Sequence, residues 1–90
     1  MKLTWNEAKR QKTLQERGLD FADCEIVFAG PSFMFPDLRK RYGEDRFISV
    51  GLLNGRMVVI VHTPRGGGQH IISMRKANER EQETYKARLD

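Results

Sequence analysis

Apolar and polar residues alternate over Met1 to Trp5, the period-two pattern of a short strand. Asn6 is then placed to cap a helix over Glu7 to Arg17 that Gly18 ends. Asp20 is a second cap, and Phe21, Cys24, Ile26, Val27 and Phe28 predict a short apolar helix stopped by Gly30-Pro31. Ser32 to Phe35 can extend as a strand closed by Pro36. Asp37 to Asp45 carries turn residues and the basic triplet Arg39-Lys40-Arg41, and is expected to be a mobile loop.

Two apolar runs, Arg46 to Leu53 and Arg56 to Thr63, flank Asn54-Gly55, the dipeptide that best tolerates the positive φ angles of a tight hairpin. Pro64 to Gly68 reads as a glycine-rich turn feeding Gln69 to Arg75, so three antiparallel strands should follow one another as a meander. Asn78 and Glu81 have the spacing of a capping box that opens a last helix to about Arg88. Only Tyr85, Ala87 and Leu89 are apolar in that helix, which predicts weak docking, a solvated helix or a face that awaits a partner. The order is β-α-α-β-β-β-β-α in one domain, residues 1–90, of α+β class.

Composition narrows the possibilities. At 90 residues roughly 60 to 65% of the unfolded surface can be buried, a modest core. No run approaches the roughly 18 to 20 apolar residues that cross a bilayer. Met1 to Trp5 lacks the apolar stretch of a signal peptide, so a cytoplasmic protein is expected. The single cysteine, Cys24, reads as a small buried hydrophobe. A net charge of +4 suits a polyanion, because lysine and arginine release counterions from phosphates, and suits an acidic protein equally.

Several chemistries find no support. There is no phosphate-loop motif and no nucleophile elbow, and His62 and His70 lack the helical pairing of a zinc site; no metal or cofactor is expected. Gly66-Gly67-Gly68 precedes a strand, not a helix, and reads as a turn. What stands out is the junction after the last strand, where Arg75, Lys76, Glu79 and Arg80 fall within six residues. RNA carries its own nucleophile, the 2′-hydroxyl, so its cleavage needs only a base, an acid and cations for the charge growing on phosphorus. His62, at the predicted end of its strand, can titrate near neutral pH. Arg75 and Lys76 leave their strand on opposite faces, and pairing across the glycine turn places His62 near His70, not near Arg75.

Five motifs occur in order: Trp5-Asn6-Glu7-Ala8-Lys9, Gly18-Leu19-Asp20-Phe21, Gly43-Glu44-Asp45-Arg46-Phe47, Val59-Ile60-Val61-His62-Thr63-Pro64-Arg65-Gly66 and, most specifically, Ile71-Ile72-Ser73-Met74-Arg75-Lys76-Ala77 with Glu81 and Tyr85 following. In these the chain resembles the BrnT-type toxins of bacterial type II toxin-antitoxin systems over nearly its whole length. The resemblance implies a RelE-like fold, a compact antiparallel β-sheet with two N-terminal helices and a C-terminal helix. It further implies a metal-independent endoribonuclease that inhibits translation and growth. A BrnA-like ribbon-helix-helix antitoxin would neutralise it in a two-plus-two complex and bind operator DNA to repress the operon. On this resemblance Arg75, Lys76 and Arg80 would meet phosphate and transition-state charge, and His62, Glu79 and Tyr85 would move protons or place substrate. The sequence departs from the family pattern at Arg17, His70, Met74 and Asn78. The exchange at His70 removes a cation or supplies an acid or base that relatives lack. Two other readings remain open from the residues: a basic binding module without chemistry, and an inactive toxin that serves as antitoxin and co-repressor partner.

Overall fold

The computed structural model describes residues 1–89, and its helices begin where the chain supplies caps. The Asn6 side-chain oxygen accepts from the Lys9 backbone N–H at 3.0 Å, and helix α1 (Glu7–Arg17) ends at Gly18 with φ 68°. The Asp20 carboxylate accepts from the Ala22 N–H and opens a 3-10 turn, Phe21–Asp23, that leads into α2 (Cys24–Ala29).

Around these lie β1 (Leu3–Trp5), β2 (Ser32–Pro36), β3 (Phe47–Leu53), β4 (Arg56–Arg65), β5 (Gly68–Lys76) and α3 (Glu79–Leu89), in the order read from the sequence. The strands form one sheet ordered β1-β5-β4-β3-β2. Strands β2 to β5 are an antiparallel meander. The expected wholly antiparallel sheet is corrected at one edge: β1 runs parallel to β5, with Leu3 opposite Gln69 and Trp5 opposite Ile71. The cause lies in the helix that β1 feeds. Helix α1 packs beside β5, where Arg17 donates to the Met74 carbonyl at 2.8 Å, and only a β1 directed along β5 delivers the chain to that edge.

Both hairpins use two-residue turns. Asn54 and Gly55 have φ 51° and 79°, as the first was predicted to. The second is tighter than predicted, since Pro64 and Arg65 belong to β4 and only Gly66 and Gly67, at φ 59° and 80°, form the turn. Gly68 is needed for a different reason, because a Cβ there would strike the Lys2 carbonyl as β1 comes alongside. Between these turns the β4–β5 register slips. Val61 faces Ser73 and His62 faces Ile71, which leaves Ile72 as the extra residue of a bulge.

Each sheet face has its own apolar layer. On one, Phe21, Cys24 and Val27 from the α2 region pack on Leu53, Val58, Ile60, Ile71 and Met74. The Cys24 thiol is pushed up to about 12, first by burial. On the other, Val50, Val59, Ala77 and Leu89 form a smaller cluster with Phe33, Phe35, Leu52, Met57 and Tyr85. Helix α3 docks here through a narrow stripe. Leu89 is buried, the Tyr85 ring lies 5.2 Å from that of Phe33, and the Arg88 guanidinium sits 3.9 Å over Phe33. Its cap is the predicted box: the Glu81 N–H donates to Asn78 Oδ1 at 2.8 Å and the Asn78 N–H donates to Glu81 Oε1 at 2.9 Å.

The loop after β2, expected to be mobile, is tethered. The Asp37 N–H donates to the Arg46 carbonyl at 2.8 Å, and Tyr42 lies between the cations of Lys40 and Arg46 at 5.2 and 4.0 Å. The buried Asp37 carboxylate takes both arms of Arg39 at 2.7 Å, which holds it down to about 2. No helix among the described residues is long and apolar enough to cross a membrane.

Candidate active site on the half-covered face of the sheet

Alternation along β5 separates its two terminal cations. Arg75 lies opposite Val59 and therefore on the α3 side, whereas Lys76 lies opposite Val58 and on the α2 side. The Arg75 side chain is 42% exposed, and its guanidinium grips the Glu81 carboxylate with two bonds of 2.7 and 2.8 Å. This fork, reinforced by the Asn78 N–H, holds Glu81 down to about 2. Arg75 is raised in turn, first by the Glu81 bond, with burial and the charge of Arg39 opposing. The Arg75–Glu81 pair thus lies on the α3 side, within electrostatic reach of Arg39 and on the face where Tyr85 packs against Phe33 and Phe35.

The other residues singled out in the sequence are spread over both faces. Glu79 and Arg80 are exposed on the first turn of α3 and make no ion pair among the described residues. Lys76 faces away and lines a groove with Gly18, Leu19, Asp23 and Val58. His62 lies inside β4, not at its end, and is 2% exposed on the α2 side. Its Nε2 is 2.7 Å from Ser49 Oγ and its Nδ1 2.7 Å from Gln69 Oε1, with the Phe28 ring 5.0 Å away. Burial lowers its pKa, against the hydrogen bond to Gln69. The structure thus sets Arg75 against the first turn of α3, on the face where Tyr85 packs, and leaves His62 and Lys76 on the far side of the sheet.

The bulge adds a residue that alternation alone misplaces. Counted along an unbroken strand, His70 and Arg75 are five apart and would face opposite ways. With Ile72 extra, His70 pairs with Thr63 and turns to the Arg75 side. Its Nδ1 lies 2.9 Å from Thr4 Oγ1. Burial first, then Arg65 and Lys9, lower its pKa, with Glu44 opposing. Arg39 was also overlooked as a site residue, although its two-residue spacing from Asp37 could have marked the pair. Among the described residues no three His, Cys, Asp or Glu side chains are grouped to hold a metal ion.

What the half-covered face can do chemically is bind an anion and move protons beside it. Arg75 presents a planar fork that matches a phosphate, provided Glu81 yields one arm. Tyr85, Ser73 and His70 are proton-bearing groups on that side.

No curated protein matches the chain. A family model described as "Ribonuclease toxin, BrnT, of type II toxin-antitoxin system" matches residues 5–81, a span from the last residue of β1 to the glutamate that holds Arg75. The chain therefore belongs to the BrnT family of ribonuclease toxins of type II toxin-antitoxin systems.

Proposed function

We propose that the chain is a metal-independent endoribonuclease whose site is the α3 side of the sheet around Arg75. The observation that carries this reading is the grouping of Arg75, Arg39 and Tyr85 on one half-exposed face within or beside the family-matched span. The substrate 2′-hydroxyl gives its proton to a base as its oxygen bonds to the adjacent phosphorus, the P–O5′ bond breaks and the departing 5′-oxygen takes a proton from an acid, so the products end in a 2′,3′-cyclic phosphate and a 5′-hydroxyl. Arg75 and Arg80 stabilise the charge growing on the phosphoryl oxygens. Tyr85 and Glu79 position substrate or exchange protons in this scheme. His62 and Lys76, across the sheet, have no part in this scheme.

The strand order, with two helices between β1 and β2 and one after β5, supports a RelE-like assignment. Family membership calls for an antitoxin partner. We propose that it is BrnA-like, carries a ribbon-helix-helix domain, and binds operator DNA in a two-plus-two complex that represses the operon. The net charge of +4 suits an acidic segment of that partner lying over the exposed cations.

Expression of the chain alone tests the enzyme reading. Growth arrest, and RNA fragments ending in a 2′,3′-cyclic phosphate in the presence of a chelator, are expected, and Arg75→Ala with Arg80→Ala should abolish both. If the unmodified chain neither slows growth nor cuts RNA under those conditions, the reading fails.

One observation favours a second reading. Arg75 is already held by two bonds to Glu81, as a structural arginine would be, and this suits a non-catalytic partner that helps its antitoxin to bind DNA. A harmless free chain whose antitoxin complex still binds operator DNA would establish that alternative.

A further inference from the structure

The two sides of α1 are used differently. Towards α2, Arg10 bonds Asp20 at 2.8 Å and Glu7 at 2.9 Å and lies 5.8 Å from the Trp5 ring. The other side carries Lys9, Lys12, Thr13 and Glu16, which line a groove of about 230 Å³ with Ile72 and Ser73 of β5. Ser73 pairs with Val61 and so faces the α3 side, and the charge of Lys9 acts on His70 of that same face. Helix α3 packs chiefly on β2 and β3 and meets β5 at Arg75, through Glu81. A strip of β4 and β5, floored by Val61, Ser73 and His70, therefore lies between α1 and α3. Lys9 and Lys12 form no ion pair among the described residues, whereas Glu7 and Arg10 beside them do.

We infer that this strip is the path of a single-stranded RNA, with Lys9 and Lys12 on one bank holding backbone phosphates while Arg75 holds the cleaved one on the other. The inference rests on the ribonuclease reading and names the route its substrate takes. Two adjacent strands lie about 5 Å apart, so the floor accepts one file of phosphates and not the breadth of a duplex. Lysine ammoniums are point charges that meet phosphates without reading bases. Glu16, the one acidic side chain of the groove, is outnumbered by Lys9, Lys12 and Arg17. The path therefore fixes register and leaves sequence choice to other contacts.

The test measures binding of an RNA oligonucleotide made uncleavable by 2′-O-methylation, single-stranded and as a duplex, over a range of salt concentrations. For Lys9→Ala with Lys12→Ala the slope of log affinity against log salt should fall by about 1.4, roughly 0.7 for each lost phosphate contact on a single strand. The thermal midpoint should not move, because both side chains are exposed. Arg56→Ala with Lys86→Ala, remote from the strip, should leave the slope as it was. An unchanged slope, an equal loss in the remote pair, or tighter binding of the duplex overturns the inference. Cleavage of unmodified RNA is read separately. A chain that cuts RNA with an unmoved slope sinks the path alone, and one that cuts nothing while the slope falls sinks the enzyme reading alone.

Discussion

On the α2 side the apolar layer is closed over Phe21, Cys24, Val27 and Ile60, which have no exposed surface, and the one histidine there is buried with both ring nitrogens engaged, beneath a pocket of about 350 Å³ that it lines with Phe28, Ser49 and Gln69. On the α3 side the cover stops partway, and Val61, Ser73, His70 and Arg75 keep part of their surface. Both faces draw on the same strands, β4 and β5. What separates them is the free energy of charge in an apolar layer, which drives a histidine to neutrality and would be prohibitive for an unpaired arginine. Function can reside only where solvent or substrate reaches the cations. The contrast between His62 and Arg75, one strand apart, is thus a contrast between a side chain that holds the fold and one free to meet a ligand once Glu81 releases it.

Substitutions can break this contrast at different strengths. Phe21→Ala in the closed layer should cost about 3 to 5 kcal/mol, read by urea unfolding, while Val61→Ala on the open strip should cost less than half as much; equal costs would mean that the strip is as closed as the core. Arg75→Ala should lower RNA cleavage by about 10²- to 10³-fold, the usual loss when one transition-state donor is removed, and single-turnover kinetics would show it in the chemical step.

His62→Gln should leave cleavage per folded molecule within about twofold of the unmodified chain, because the residue faces away from the site, but it should change the response to acid. The His62 pKa in the folded chain lies below its ordinary 6.5. Its neutral ring therefore contributes stability that is complete above that value and is lost as pH falls towards the folded pKa. Urea midpoints between pH 8 and 5 should fall for the unmodified chain and stay flatter for the variant. The smallest effect belongs to Glu81→Gln, which weakens a capping box and should cost about 1 kcal/mol. The unmodified chain should lose this contribution only as pH drops from 4.5, the ordinary value, towards about 2. Freed of its carboxylate partner, Arg75 should bind RNA more tightly in that variant.

Local devices were legible in the sequence because their causes are local. Asn6, Gly18, Asn54-Gly55 and the Asn78–Glu81 box each act within a few residues, and each appears where the chain places it. The direction of β1 was not legible, since it depends on where α1 settles against a strand more than fifty residues away in the chain. Neither was the Ile72 bulge, a mismatch between two strands that leaves no mark in either and that alone turns His70 towards Arg75. The burial of His62 could have been found, because it directly continues Val58-Val59-Ile60-Val61, an unbroken apolar run suited to a strand covered on both faces. The grouping of Arg75 with Arg39 and Tyr85 joins three separate segments and needed coordinates.

The central claim is that RNA meets the α3 side of this sheet and not the α2 side. Backbone amide shifts recorded while an uncleavable single-stranded RNA is added would test it directly. Changes should gather at Lys9, His70, Ser73 and Arg75 and leave Phe28, Ser49 and His62 unmoved. Changes centred on Phe28, Ser49 and His62 instead would contradict the account.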